Sequence, residues 1–144
     1  MAASQPGPVW IGLLTWNRSF RPGLEGNAHI AYQDYGNLKY ASNSGGRWMV
    51  ENLDSSERTG GFASLALDAK NNPHIAYSYS LSGGHYSRLK YISRSGGNWK
   101  VETVDGASAS YTGWFAVHVG WFASLALDIY NNPRIAYYDA TNFT

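Results

Sequence analysis

Residues 63–77 read Ala-Ser-Leu-Ala-Leu-Asp-Ala-Lys-Asn-Asn-Pro-His-Ile-Ala-Tyr, and this stretch decides how the chain folds. Residues 123–137 read Ala-Ser-Leu-Ala-Leu-Asp-Ile-Tyr-Asn-Asn-Pro-Arg-Ile-Ala-Tyr, which differs at three positions. A third Ile-Ala-Tyr stands at residues 30–32. A repeat of this kind predicts a fold built from successive copies of one small unit.

Three shorter motifs also repeat in the first two copies. They are Leu-Lys-Tyr at 38–40 and 89–91, Ser-Gly-Gly-x-Trp at 44–48 and 95–99, and Val-Glu at 50–51 and 101–102. The middle copy therefore has four short segments, at residues 63–68, 74–79, 89–93 and 99–104. Such short segments, rich in Tyr, Ile, Val and Trp, are typical of strands, and we expect essentially no helix.

The connection at residues 68–73 has the chemistry of a tight turn. Its Asp can accept hydrogen bonds from the backbone that follows, and its asparagines tolerate a left-handed conformation. Pro73 cannot donate a hydrogen bond and suits the first position of the next strand. A calcium loop would need more carboxylates at alternating positions, so the pattern favours a structural turn.

Four antiparallel strands repeated about every 50 residues are the signature of a β-propeller blade. We therefore predict an all-β, single-domain propeller segment over residues 1–144. The first blade covers about residues 9–54, with 9–16 as the candidate first strand. The second blade covers about residues 62–105, and a half blade covers about residues 122–139. The chain would contribute about two and a half four-stranded blades.

These motifs also support a family resemblance. Ser-Leu-Ala-Leu-Asp, a turn ending in Asn-Pro, His-Ile-Ala-Tyr and Leu-Lys-Tyr-Ala resemble the repeats of bacterial and archaeal β-propeller proteins, many of them surface proteins. The resemblance covers about residues 26–139 and implies the fold, but that family has no single chemistry. The Ser-Gly-Gly-x-Trp hairpins distantly resemble the Asp-box of sialidase-type propellers without its Asp, so this second likeness is treated as structural.

Propellers usually close a ring of 4–8 blades. An open stack of about two and a half blades would expose its inner strands and leave unpaired edges, which favour aggregation. We therefore expect a homo-oligomer in which identical chains close the ring, most simply a dimer with five blades. A trimer, or a truncated fragment of a longer propeller, is the alternative.

Composition excludes several functions. The net charge is +1 with no run of either sign, which disfavours nucleic acid as a partner. There is no Cys, hence no disulfide framework, thiolate metal site or cysteine nucleophile. The N-terminal residues lack the cationic start of a secretory signal, and no apolar run reaches the roughly 20 residues of a membrane span. The compartment stays open, and no cofactor or metal is implied.

Binding is favoured over catalysis. The sequence contains no nucleophile elbow and no His-x-x-x-His metal pair. The candidate polar residues are the four His, Asp34, Asp139, Arg58, Arg88 and Arg134. The His residues that begin equivalent strands, at positions 29 and 74, are interpreted as structural.

The unusual loops, residues 79–88 and 106–122, are expected on one face, where insertions in repeat folds concentrate ligand contacts. We expect a glycan-type ligand. Trp114, Trp121 and Tyr86 would stack on it, while His85, His118, Arg88 and Asp139 would supply polar contacts. Three alternatives stay open: the tryptophans pack between blades, the chain is a scaffold without ligand, or it is a degenerate sialidase-like glycoside hydrolase.

Overall fold

The computed structural model describes residues 18–56, 58–81, 86–106 and 118–140, with the side chain of Leu81 excepted. Within these residues, ten strands form three sheets, whose bounds are as follows. The first sheet contains β1 (Arg18–Pro22), β2 (Ala28–Asp34), β3 (Asn37–Ser42) and β4 (Met49–Asp54); the second contains β5 (Thr59–Leu67), β6 (Pro73–Leu81), β7 (Tyr86–Ser95) and β8 (Asn98–Asp105); the third contains β9 (Val119–Leu127) and β10 (Pro133–Asp139). A short 3-10 turn, Leu24–Gly26, joins β1 to β2.

Within each sheet every strand pairs antiparallel with its neighbour in the chain. The predicted all-β architecture with four-stranded antiparallel sheets is therefore confirmed. In the described ranges, no helix is both long and apolar enough to cross a bilayer. The candidate first strand at residues 9–16 lies outside the described residues, and the strand that pairs with β2 is β1.

The inner strands β5 and β9 begin earlier than the predicted boundaries at residues 62 and 122. Each contains a β-bulge in which Phe62 (φ 51°) or Phe122 (φ 52°) takes a left-handed conformation. A bulge adds a residue and breaks the alternation of inward and outward side chains. The alternating pattern that starts at residue 63 therefore marks only the part of the strand that follows the bulge.

The turn between β5 and β6 has the predicted chemistry. Oδ1 of Asp68 accepts the backbone N–H of Lys70 (2.9 Å) and of Asn72 (2.7 Å). Asn71 takes the left-handed conformation with φ 67°. Asp128 organises the turn between β9 and β10 in the same way. These bonds to its carboxylate hold the pKa of Asp128 at about 2.

Two apolar clusters join the sheets in chain order. The cluster between the first and second sheets contains Ala31, Leu38, Tyr40, Ala63, Leu65, Ile75, Tyr77 and Ile92, with Leu53, Leu67 and Trp99 packed against it. The cluster between the second and third sheets contains Ala66, Ala76, Leu89, Tyr91, Val119 and Leu125, with Tyr86, Ala123, Leu127 and Ile135 packed against it. Equivalent positions of the repeat fill both clusters, so one packing scheme is used twice.

The expectation that the inner strands would face water is wrong for β5. Strand β5 packs between the first sheet and β9, and its Leu65 is fully buried. Two identical polar contacts fix this arrangement. The hydroxyl of Ser19 accepts the N–H of Leu65, and that of Ser64 accepts the N–H of Leu125, each at 3.0 Å.

The sheets approach each other closely at two equivalent glycines. A Cβ placed on Gly60 would lie 2.9 Å from the Cα of Leu38, and one on Gly120 would lie 2.9 Å from the Cα of Leu89. Both glycines also have a positive φ, 85° and 87°. A side chain at either position would separate two backbones that now touch.

We predict that Gly60→Ala lowers the free energy of unfolding by about 2 to 4 kcal/mol, since it adds backbone strain and a clash with a buried backbone. The matched control is Gly61→Ala, whose Cβ would meet its nearest atom, the Cβ of Ser78, at an ordinary 3.8 Å. Urea unfolding followed by circular dichroism measures both variants. Equal stability of the two would contradict the close-approach argument.

A buried carboxylate in the outer strand β4 joins the first sheet to the middle strands of the second sheet. Oδ2 of Asp54 in β4 accepts the hydroxyl of Tyr77 (2.8 Å) and the ammonium of Lys90 (3.0 Å), both from the second sheet. Burial alone would raise the pKa of Asp54, but these bonds and those from Ser56 outweigh it and hold the pKa below its ordinary value of 3.8. Asp105 repeats the contact by accepting the hydroxyl of Tyr137 from the third sheet.

We predict that Asp54→Asn costs about 2 kcal/mol of unfolding free energy near neutral pH, because Lys90 and Tyr77 lose an ionised partner. The pKa of Asp54 is lower in the folded state, so its stabilisation is present above pH 3.8 and is lost as the pH falls below that value. The stability difference between wild type and variant should therefore shrink on acidification. Urea titrations over a pH series measure it.

The control for this experiment is Asp34→Asn, because Asp34 pairs with Lys39 at the surface, where their side chains are 36% and 27% exposed. An exposed pair contributes less than about 1 kcal/mol. A pH dependence as large in this control as at Asp54 would show that burial is not the cause.

Candidate functional site

A cleft of about 460 Å³ opens where the three sheets meet near the bulge of β5. Its lining combines amide, hydroxyl, guanidinium and aromatic groups, from Gln33, Gly36, Arg58, Gly61, Phe62, Ser78, Ser80 and Trp121. Small-molecule sites typically have volumes of about 300–1,000 Å³ and place a few polar groups on an apolar wall. In size the cleft falls within that description, whereas its lining is more polar, with Gln33, Arg58, Ser78 and Ser80 among the eight lining residues.

The bulge supplies the aromatic wall. The ring of Phe62 lies 5.9 Å from that of Trp121 and 4.8 Å from that of Phe122. Trp121 also stacks on His118, with ring centroids 4.2 Å apart. Because Phe62 and Phe122 both have left-handed backbones, the two bulges turn their aromatic side chains to the same end of the inner strands. The result is a continuous aromatic surface beside the cleft.

Ser78 supplies an unsatisfied hydroxyl. The residue is 2% exposed and lines the cleft, and within the described part of the chain its Oγ has no hydrogen-bond partner. Leaving a buried polar group without a partner costs about 1–3 kcal/mol, so such groups usually have a partner. The Ser78 Oγ therefore has an unused hydrogen-bonding capacity beside the cleft.

Arg58 brings the positive charge to the cleft. Its backbone is left-handed, with φ 47°, and its carbonyl oxygen accepts the N–H of Ser80 at 3.1 Å. This bond joins the start of β5 to the far end of β6, so the segment that carries Arg58 is fixed at the rim. Among the eight lining residues, Arg58 is the ionised one. The lining therefore favours a ligand with anionic or hydroxyl groups.

Of the predicted ligand residues, Trp121 lines this cleft and His118 stacks directly on it. Trp114 and His85 lie outside the described residues. Asp139, at the end of β10, is exposed and pairs in register with Val119, the residue after His118. The structure thus brings Trp121, His118 and Asp139 to one end of the third sheet.

Tyr86 and Arg88 are not among the lining residues. Tyr86 packs against the cluster between the second and third sheets. Arg88 lies in β7 against Gly106, where a Cβ would come within 2.5 Å of the Arg88 side chain. Both residues therefore take part in packing at the start of β7.

The histidines of the repeat have structural contacts, as expected. Nδ1 of His29 lies 2.5 Å from the hydroxyl of Tyr40, and Nδ1 of His74 lies 2.5 Å from that of Tyr91. Burial lowers the pKa of both imidazoles, which favours their neutral forms. Arg134, the third member of this set, donates to the carboxylate of Asp128.

Sequence reasoning missed Gln33, Ser78 and Phe62 as site residues. For Gln33 and Ser78 the available signal was departure from the repeat, whereas Phe62 matches Phe122 and gave no such signal. Gln33 and Ser78 occupy the same repeat position, and Tyr138 is its third member. Similarly, Gly61 in β5 corresponds to Trp121 in β9, so the second sheet lacks a side chain where the third has an indole.

A second cleft, of about 340 Å³, lies between the outer strands of the second sheet and β10. Its lining includes Tyr91 and Glu102. In the first sheet, the equivalent residues Tyr40 and Glu51 hold the indole of Trp99. The indole ring stands edge-on to Tyr40, and its N–H donates to Glu51 at 3.0 Å.

Comparison with known proteins gives no relative for this chain: no protein-family model, no curated protein and no solved structure matches it.

Proposed function

We propose that the chain is a non-catalytic binding module and that the cleft between Phe62, Trp121 and Arg58 takes a glycan-type ligand. The observation that carries this proposal is the buried Ser78 hydroxyl, which lines the cleft and has no partner among the described residues. A sugar hydroxyl is a donor and an acceptor of matching size and can satisfy it.

The rest of the lining fits the same chemistry. Sugars present an apolar ring face as well as hydroxyls, and aromatic rings such as Phe62 and Trp121 offer flat apolar surfaces for that face. A guanidinium group, such as that of Arg58, can bind a carboxylate with two parallel hydrogen bonds. An acidic sugar is therefore a better fit than a neutral one.

Binding is favoured over hydrolysis by the same lining. Glycoside hydrolases commonly use two carboxyl groups about 5–10 Å apart on either side of the scissile bond. The walls of this cleft are instead formed by amide, hydroxyl, guanidinium and aromatic groups.

We further propose that the packed sheets are blades of a β-propeller and that identical chains assemble. The repeated packing of β5 on the first sheet and of β9 on the second is what successive blades require. The support for assembly is the exposed third sheet, where Phe122, Tyr137 and Tyr138 are 52%, 37% and 43% exposed. An assembly scaffold is thus a second function compatible with the first.

We predict that Gly61→Trp abolishes glycan binding and leaves the fold intact. The change introduces the residue that stands at the equivalent position 121, and the first atom of its side chain meets only ordinary contacts. The indole would then fill the cleft. Titration of acidic and neutral oligosaccharides, with circular dichroism as the fold check, measures the effect.

Two arginine variants test the proposed contact. Arg58→Ala should weaken binding of an acidic oligosaccharide about 10-fold or more, the loss expected for one charge-assisted hydrogen bond. Arg134→Ala is the matched control, because Arg134 pairs with Asp128 and does not line the cleft. Equal loss in both variants, or undiminished binding in Gly61→Trp, would contradict the proposed site.

A further inference from the structure

Each sheet has two unlike faces. The face towards the preceding sheet carries large residues, exemplified in the second sheet by Leu65, Ile75 and Tyr77, all fully buried. On the face towards the following sheet, the two inner strands carry small residues at the equivalent places, Ala66 and Ala76, beside the Ser64 hydroxyl, while β7 adds Leu89 and Tyr91. We call the first the large-residue face and the second the small-residue face.

The polar contact between these faces is specific. At both internal junctions, a serine on the small-residue face accepts the backbone N–H of a leucine on the large-residue face, at 3.0 Å. The leucine side chains, Leu65 and Leu125, are 0% and 4% exposed. Along the inner strands a junction therefore consists of one buried leucine, one serine bond and small alanines, in addition to the approach of Gly60 or Gly120 to a leucine backbone.

The same two faces are open at opposite ends of the chain. On the first sheet, Phe20 stands where the junctions have leucine, pairs with Ile30 in register, and is 55% exposed. On the third sheet, Ser124, Ala126 and Ala136 occupy the small-residue positions and are all exposed. Their counterparts in the second sheet are buried, with Ser64 8%, Ala66 9% and Ala76 0% exposed.

We propose that a second copy of this chain docks head to tail, with the large-residue face of its first sheet on the small-residue face of the third sheet. Phe20 of the incoming copy takes the place that Leu65 and Leu125 have at the internal junctions. The hydroxyl of Ser124 accepts the backbone N–H of Phe20. The inference rests on the proposed assembly of identical chains and states which surfaces meet.

This docking is heterologous: two different surfaces of the chain meet, and each copy offers one of each. It differs from a five-bladed dimer in which two half blades complete one another. The first sheet already has four strands, and β9 and β10 are the inner pair of the third. In a dimer, the partner would supply a second copy of β9 and β10. Two copies of this inner pair cannot complete one blade, because a blade also needs the two outer strands.

Cysteine trapping distinguishes the arrangements, since the natural chain has no Cys. Phe20→Cys and Ser124→Cys are prepared as separate proteins, mixed and oxidised at about 50 µM, a concentration at which weak contacts are populated. We expect a disulfide-linked species of twice the 15.9 kDa chain mass in the mixture. Each variant alone should give little of it, because head-to-tail docking does not bring two copies of one position together.

Two controls show how much disulfide forms at a known contact and how much forms by random collision. Ser64→Cys with Leu125→Cys in one chain places the pair at an internal junction, where a bond within the chain should form. Tyr130→Cys, on a turn and 77% exposed, measures random collision. Linkage of Phe20→Cys with itself, or a mixture that links no more than the Tyr130→Cys control, would overturn the proposed docking.

Sedimentation of the unmodified chain shows whether a negative result contradicts only the proposed docking surfaces or the assembly itself. If the wild type is oligomeric but the two cysteine variants form no mixed disulfide, the assembly is supported and the proposed pair of surfaces is wrong. A wild type that remains monomeric, with no mixed disulfide, overturns both the docking and the assembly. An oligomeric wild type with the mixed disulfide supports both.

Discussion

The structure depends on how closely the first strand of one sheet approaches the middle of the sheet before it. At both junctions this approach occurs at a glycine, Gly60 against Leu38 and Gly120 against Leu89. The positive φ of these glycines and the absence of a Cβ have separate roles. The positive φ allows the strand to enter the bulge that follows. The absence of a Cβ lets the two backbones touch. Leu38 and Leu89 are fully buried, so the contact also closes the apolar cluster around them.

The candidate site follows from that constraint. Two residues after each glycine, the bulge places Phe62 or Phe122 in a left-handed conformation, and their rings come within 4.8 Å of each other. The same feature that packs the sheets therefore also exposes aromatic surface at one end of the inner strands. Strain of this kind persists where the surrounding structure determines it and is frequent at binding sites. The cleft is thus a by-product of the junction geometry, modified by the side chains that differ between repeats.

The repeat made the strands, turns and core predictable from the sequence. Identical letters at residues 63–68 and 123–128 have matching strand positions, and Asp68 and Asp128 form matching turns. The bulges were not predictable from alternation, because a left-handed Phe has no local sequence signal of its own. Of the residues that line the cleft, the sequence singled out Trp121 as an extra aromatic residue and Arg58 as a candidate polar residue. Ser78 is one small polar residue in a strand and becomes notable only once its burial is known.

Agreement between repeats and departure from them carry different information. Positions that agree between copies and pack at the junctions, such as Ile75 and Ile135, meet the same packing demand and say little about a ligand. The position shared by Gln33, Ser78 and Tyr138 varies in size and polarity although the backbone around it is repeated. Since packing does not require such variation, the residue at that position is free to meet a different demand. In the described part of the chain, Gln33 and Ser78 both line the larger cleft, which is where a ligand would impose that demand.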